Sequence, residues 1–317
     1  MKQNLHVSVR KCFVLSLTLL CSYLPSFSQG YGSQSSFEIG LTVGPSNFLG
    51  DLGGNAGKGT RFIKDNNFRM TKLTWGGYLA YQPAEWLGFR LALNMGRLEG
   101  DDAIINGKGG YEEARKLRNS NFRSPLTEGL LLAEFYPTVF IERDPSDTWL
   151  KFRPYALIGI GVFKFNPQGT DPLTGNWVDL KPLRTEGQGL PEYPDRKEYK
   201  LTQFNIPMGI GIKYFLSEKV NLGLEIIHRQ TFTDYIDDVS TNYVDPAAFY
   251  AHMPLAQARL AERMANKSGG TGTRFTAGQK RGNPNQNDAY YTVGVKLGIR
   301  LGSNDPWSNS TRCPVRF

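Results

Sequence analysis

Residues 231–245, TFTDYIDDVSTNYVD, set Asp234, Asp237, Asp238 and Asp245 beside Tyr235 and Tyr243. Carboxylates at this density suit several chemistries. Joined to Asp101 and Asp102 of EGDD and to His252, they can exchange protons with a substrate. Gathered in a suitable loop with about six to eight oxygens, they can hold calcium. As turn residues they bond to their own backbone, and as exposed acids they can meet a partner protein. No calcium-loop spacing is present and no nucleophile accompanies the acids. Turn chemistry is therefore the first expectation, protein contact the second, metal the third and catalysis the last. The chain is read as no enzyme, with no cofactor and no small-molecule substrate.

The flanking elements decide where these acids sit. The chain opens MKQNLHVSVRKCFVLSLTLLCSYLPSFSQG. Basic Lys2, Arg10 and Lys11 precede an apolar run from Phe13 to Leu24, and Ser26 and Ser28 follow as small residues, the layout of a cleaved secretory signal. Residues 1–28 are assigned to it and residues 29–317 to one outer-membrane domain. Cys21 lacks the small residue before it that a lipid-anchor site requires. With Cys12 and Cys21 removed, Cys313 stands alone, which excludes an internal disulfide and a thiolate metal site. Losing Lys2, Arg10 and Lys11 takes the net charge from +8 to +5. Without an Arg/Lys-rich stripe, that balance gives no reason to expect nucleic acid as a partner.

Alternation recurs along the rest of the chain. In FEIGLTV, Phe37, Ile39, Leu41 and Val43 share a face opposite Glu38, Gly40 and Thr42. GFRLALNMG (88–96), FNIPMGIGIKY (204–214) and YTVGVKLGIRL (291–301) repeat the pattern. Segments near Thr74–Gln82, Ser124–Tyr136, Arg153–Phe165 and Val220–Arg229 complete a set of eight. One large apolar face opposite a small or polar one over about ten residues marks a transmembrane β-strand. The fold expected is all-β: an eight-stranded antiparallel transmembrane β-barrel, its partner outside being outer-membrane lipid.

Links alternate in length as such a barrel requires. Pro83–Trp86, Pro137–Leu150 and Leu216–Lys219 are the shorter ones; Leu49–Leu73, Glu99–Arg123, Asn166–Leu201 and Phe232–Ala289 are long. Short turns then face the periplasm, with both termini, and long loops face outward. Glu38, Arg90, Glu128, Glu134, Lys213, Glu225, Arg229, Lys296 and Arg300 are the inward charges. Pairing across a narrow lumen makes a plugged barrel rather than a diffusion pore. His228 falls on the outward face.

The last long loop carries an insertion at about 245–288. Asp245 before Pro246 starts a helix, and Ala256, Leu260 and Met264 after Pro254 form a stripe expected to pack on its own loop. Gly269 and Gly270 end this short helix. The stretch KSGGTGTRFTAGQKRGNPNQND is read as flexible, basic and solvent-exposed.

Several of these stretches carry a family likeness. FLGDLGG (48–54), LRTEGQGLPEY (183–193), IPMGIGIKY, FTDYIDDVS followed by TNYVD, RGNPNQNDAYY and the terminal CPVRF occur in order. Together they resemble the PorG family of outer-membrane barrels, from about Phe37 to the end. Arg184 stands where that family's pattern has glycine, and the loop from Asp245 to Asp288 is longer. The resemblance implies a non-enzymatic component of the type IX secretion system of Bacteroidota, which exports proteins and supports gliding motility. It also implies periplasmic ring subunits, a PorK-like lipoprotein and a PorN-like protein, as partners. The family-motif candidates are Gly50, Asp51, Thr185, Glu186, Gly187, Gln188, Gly189, Asp234, Tyr235, Asp237 and Asp238. In the periplasmic turn PTVFIERDPSDTW, Glu142, Arg143, Asp144 and Asp147 are the candidates for meeting the ring, while the long-loop motifs fold over the barrel mouth or meet other outer-membrane subunits. The alternative is an orphan eight-stranded barrel with a structural or surface-adhesion role.

Overall fold

A chain that presents leucine, isoleucine and phenylalanine on one side of every strand must turn that side to lipid and close its backbone hydrogen bonds on itself. The computed structural model describes residues 35–52, 68–105, 111–141, 151–217, 219–268 and 274–301. In it the chain does this through β1 (Ser36–Leu49), β2 (Lys72–Ala84), β3 (Leu87–Asp101), β4 (Asn121–Phe135) and β5 (Phe152–Phe165). A small hairpin, β6 (Gln168–Thr170) and β7 (Trp177–Asp179), precedes β8 (Thr202–Phe215), β9 (Val220–Thr231) and β10 (Ala289–Leu301). Each long strand pairs antiparallel with its neighbours, and β1 meets β10 with Phe37 opposite Leu301, so the eight-stranded barrel closes. The expected strands are all present. The unexpected hairpin extends the sheet beyond the rim, where Gln168 pairs with Arg123 of β4.

The outward face is apolar and exposed: Leu41 (67%), Leu93 (64%), Ile160 (66%) and Phe204 (67%) stand where hydrocarbon lies. Toward the short turns it becomes aromatic, with ring centroids of Phe37 and Tyr81 at 4.8 Å and of Phe152 and Tyr214 at 4.6 Å. Such a girdle marks the membrane–water interface. His228 keeps the outward parity of β9, as expected.

Inside, charge is packed rather than solvated. Glu134 lies 3.0 Å from Arg90, 3.5 Å from Lys213 and 3.7 Å from Lys296, and it accepts from the Tyr136 hydroxyl. Glu225 takes Arg90 at 2.9 Å and the Tyr155 hydroxyl at 2.8 Å. Glu38 takes Tyr78 at 2.7 Å and Lys213 at 3.4 Å. Nearer the outer end Glu128 binds Arg229 at 2.6 Å, Asn94 at 2.9 Å and Tyr290 at 2.8 Å. Glu38, Glu128, Glu134 and Glu225 thus balance Arg90, Lys213, Arg229 and Lys296, all buried. Arg300, the remaining inward candidate, is half-exposed at the short-turn mouth. Between these two groups of charges a gap of about the size of a water molecule is bordered by Thr42, Thr74, Asn94 and Thr292. Inner-face glycines make room for the tyrosines: a Cβ on Gly40 would come within 2.4 Å of Tyr78, and one on Gly211 within 2.4 Å of Tyr155.

Among the described residues the long loops hold three α-helices. In α1 (Tyr111–Arg118), Glu112 and Glu113 begin the helix and Lys116 and Arg118 end it, each sign suited to its end of the helix dipole. Asn119, at φ 52, turns the chain out of it. The last loop carries two helices rather than one, α2 (Pro246–His252) and α3 (Leu255–Ala265). Asp245 caps α2 by accepting from the Ala247 N–H at 2.9 Å. The expected stripe of α3 holds at Leu260 and Met264, which pack into the loop core, but not at Ala256. Ala256 is exposed, and the buried residues are Ala258, Ala261, Met264 and Ala265, because the small alanines let the helix approach the neighbouring loop closely.

Removing the Glu134 carboxylate by Glu134→Ala leaves Arg90, Lys213 and Lys296 short of counter-charge. The expected loss is about 3–5 kcal/mol, the cost of breaking a buried ion pair from one side, read as a shift in urea-induced unfolding from lipid vesicles. An unchanged midpoint would mean that the network contributes nothing to stability.

Candidate functional site

Residues 48–52, LRTEGQGLPEY, FTDYIDDVS with TNYVD, and RGNPNQNDAYY meet at the outer mouth, whereas IPMGIGIKY runs along β8 and CPVRF lies outside the described residues. Apolar contact seats them first. Phe48, Phe122, Phe163, Phe165 and Tyr290 rise from the strands, and Leu52, Tyr199, Ile236 and Val239 descend on them from the loops. Phe165, Tyr199 and Tyr235 stack in succession, with centroids at 6.2 and 4.7 Å. A second core joins the two longest loops: Leu180, Leu183 and Leu190 pack against Val244, Phe249, Ala258 and Met264. The helices of the last loop therefore lean on residues 180–190 as well as on their own loop.

Two guanidinium groups stitch this cap together. Arg118 grips Asp102 with two bonds of 2.7 and 3.0 Å, and donates to the carbonyls of Arg281 at 2.7 Å and Asp51 at 2.6 Å. Arg281 donates to Glu186 at 2.7 Å and to the Asp238 carbonyl at 2.6 Å. Glu186 also accepts from the backbone N–H groups of Ser240 (3.0 Å) and Thr241 (2.9 Å) and from the Thr241 hydroxyl (2.7 Å). Asp238 accepts from Thr185 and, at 2.7 Å, from the Tyr199 hydroxyl. Planar guanidiniums suit such sites because each satisfies several acceptors at once.

The TEGQG turn is built for this contact. Arg184 sits in the left-handed region at φ 49 and ψ 48, a conformation that glycine adopts at less cost. Gly187 follows at φ 76, and a Cβ on it would lie 2.5 Å from the Tyr193 ring. Gln188 accepts from the Glu186 N–H at 3.1 Å, and Gly189 donates to the Arg196 carbonyl at 2.7 Å.

The structure thus brings together Gly50, Asp51, Thr185, Glu186, Gly187, Gln188, Gly189, Asp234, Tyr235, Asp237 and Asp238. Glu142, Arg143, Asp144 and Asp147 lie outside the described residues, as do the signal segment and Cys313. Sequence reasoning missed Arg118 and passed over Arg281 and Asp288. The last two stand in RGNPNQNDAYY, a stretch that already carried the family likeness, whereas nothing in YEEARKLR singles out Arg118. The basic stretch is exposed over most of its described length, as expected, but Arg281 and Asp288 are buried, Tyr243 stacks on Phe275 at 5.0 Å, and residues 269–273 lie outside the described set.

The acids do more than local turn bonding. Asp238 does close a turn, its N–H donating to the Tyr235 carbonyl at 3.3 Å. Yet Asp237 is fully buried and spends both oxygens on backbone N–H groups, Leu52 and Val239, at 2.9 Å each. Asp288 accepts from the Ile236 N–H at 2.8 Å, and Asp51 from Asn283 at 2.6 Å. The residues proposed for catalysis have structural partners: Asp102 has Arg118, Asp101 caps a short turn through the Ala103 N–H, and His252 pairs with Glu192 at 2.8 Å. Among the described residues no group of three or more His, Cys, Asp or Glu side chains forms a metal-ligand set.

Burying so many acids has an electrostatic consequence. Burial, with Asp51 and Glu186 close by, pushes the Asp234 carboxyl up to about 8. Burial raises Asp238 to about 6 despite Arg281. Asp237 and Asp288 are raised well above the usual range, by burial first and then by neighbouring carboxylates. The closed cap therefore holds more protons than an opened one, so its stability is greatest below about 4 and falls as pH rises through 6 to 8. Protease nicking of residues 166–201 is expected to accelerate from pH 5 to pH 9 while the barrel stays intact, and Asp234→Asn is expected to blunt that change. Gly187→Ala, which forces a side chain into the left-handed region, is expected to cost the cap about 1–2 kcal/mol or more and to raise nicking at every pH. A pH-independent rate would refute the protonated-cap account.

No curated protein matches the chain. Among solved structures it is similar to Ail of Yersinia pestis in complex with the heparin analogue sucrose octasulfate (8% identity, 84% of this chain and 97% of that one, TM-score 0.35). It is likewise similar to Neisserial surface protein A (8%, 84% and 99%, TM-score 0.37) and to outer membrane protein W of E. coli (14%, 86% and 100%, TM-score 0.31). At such scores these likenesses carry nothing about function. A family model for the outer membrane protein beta-barrel domain, however, matches residues 13–252, most of the chain, and with a closed barrel of eight strands behind it the protein belongs to that outer-membrane family.

Proposed function

We propose that this barrel is a non-enzymatic outer-membrane component of the type IX secretion system, where it anchors or aligns the periplasmic ring. The observation that carries this reading is convergence. The stretches resembling PorG are scattered over the chain, yet Asp51, Glu186, Asp238 and Arg281 from four of them belong to one buried network. Motifs that lock together in this way are parts of one structural device, which supports a common ancestry with that family rather than chance similarity.

The physical state of the barrel agrees with anchoring. An eight-stranded lumen is just wide enough to be filled by side chains, and here Arg90, Glu134, Lys213, Glu225 and Lys296 fill it. No polypeptide can thread such a core, so export through this lumen is not its part. The cap closes the outer mouth, and the short turns remain as the parts that reach the periplasm. In this reading a PorK-like lipoprotein and a PorN-like protein dock there, on the turn containing Glu142, Arg143, Asp144 and Asp147.

Replacing Glu142–Asp147 with a short Gly/Ser turn is expected to release the ring subunits from the tagged barrel in a pull-down from native membranes, with barrel yield unchanged. Deleting the whole protein is expected to abolish type IX export. Export at normal levels after deletion would favour a paralogue with a purely structural role.

A further inference from the structure

The outer wall of the barrel changes character toward the cap. Outward residues alternate with inward ones along each strand. On β3 the apolar series Leu93 and Met95 is followed by Arg97, and on β5 the series Ile160 and Val162 is followed by Lys164. Between them β4 turns Pro125, Thr127 and Gly129 outward. In the register Arg97 stands opposite Pro125, while Thr127 has Met95 on one side and Lys164 on the other. Three consecutive strands thus place two cations across about 10 Å of sheet, two strand spacings, with a hydroxyl between them. Near the same rim β1, β2, β9 and β10 turn Pro45, Leu73, Gln230 and Val293 outward, none of them charged.

The donors on this part of the wall are only partly engaged. Arg97, its side chain 46% exposed, meets Glu99 at 2.8 Å through Nε alone, and the same Glu99 is shared with Lys72 at 2.8 Å. Among the described residues the Thr127 hydroxyl and the Lys164 ammonium have no partner. Asp179, the acid of the neighbouring hairpin, accepts from Asn166 and Gln168 at 2.9 and 2.8 Å. That hairpin roofs the wall on the cap side. Arg123 Nε donates to Gln168 at 2.8 Å, and its guanidinium lies 4.4 Å over the Trp177 ring. Toward the membrane the wall stays open. Gly129, flanked by Leu93 and Val162, leaves a trough, since a Cβ there would meet only Leu93 Cδ2, at 3.6 Å.

We propose that Arg97, Thr127 and Lys164 hold the phosphate of one lipid of the outer leaflet, with an acyl chain of that lipid lying in the trough over Gly129. A guanidinium gives a phosphate paired bonds, and an ammonium adds a point charge. Cations on a lipid-facing wall are costly at the midplane and tolerated near the interface, so these two stand at the level of headgroups. The cations and the apolar trough form one continuous surface. It selects a molecule that carries both a phosphate and a hydrocarbon chain, which a free phosphate or an acidic peptide does not. The site lies on the wall at the cap end and is independent of the ring contact at the short turns.

The test is native mass spectrometry of the full barrel in neutral detergent, with dioleoyl phosphatidic acid set against dioleoylglycerol. Wild type is expected to retain one phosphatidic acid per barrel, at least about tenfold more tightly than dioleoylglycerol. Arg97→Gln with Lys164→Gln is expected to erase that preference, whereas Lys164→Arg keeps it. Gly129→Leu, which fills the trough and leaves the charges, is expected to weaken retention about threefold or more through lost apolar contact. A heat-dependent shift in gel mobility shows that each variant is folded. No preference in wild type, an undiminished one in the double variant, or full retention by Gly129→Leu overturns the proposal. Displacement of the lipid by an equal concentration of inorganic phosphate would reduce the site to a phosphate contact. A barrel dimer that the double variant abolishes would assign the face to a second copy of the chain; either result also overturns it.

Discussion

Glu134 is the residue on which the rest of this molecule depends. One buried carboxylate faces Arg90, Lys213 and Lys296 and accepts from Tyr136. Charges taken out of water are tolerated only when geometry and counter-charge are both nearly complete. Meeting that condition takes residues from β3, β4, β8 and β10 at once, so the barrel has to close in one register. A one-residue slip would send these charges into the lipid. The same condition fills the lumen, which turns a potential channel into a solid post.

A solid post moves function to its ends. At the outer end the long loops do not dangle. They form a second folded layer with its own apolar cores, pinned by Arg118 and Arg281. The acids of residues 231–245 belong to that layer. Asp237 accepts backbone N–H groups that would otherwise be buried without partners, those of Leu52 and Val239. An unsatisfied buried donor costs more than a hydrogen bond returns, so the acidic motif is explained by the backbone it satisfies before any ligand is considered.

Alternation by itself was enough to read the barrel, its strand count, its outward apolar face and most of its lumen charges. Period-two patterning is a local property, and each strand displays it independently of the others. Alternating short and long links added the orientation in the membrane. The left-handed backbone of Arg184 was not legible, because an arginine in that conformation carries no local signal.

The cap was not legible in that way. Its contacts join residues far apart in the chain, such as Asp51 with Asn283 and Glu186 with Arg281, and no local period records such a meeting. Asp237 and an ordinary turn aspartate look alike in sequence, because burial is decided by what folds over them. Nothing in the sequence marked Arg118; only the mouth of the barrel brings Asp102 and the Asp51 carbonyl around it. The α3 face keeps Leu260 and Met264, loses Ala256 and gains Ala258, Ala261 and Ala265 for the same reason: helical periodicity says that a face exists, and the neighbour sets its centre. Sequence determined the barrel, since strand and lipid impose a repeating local rule. Tertiary structure alone decided the cap, since its chemistry exists only where four distant loop roots are held over one mouth.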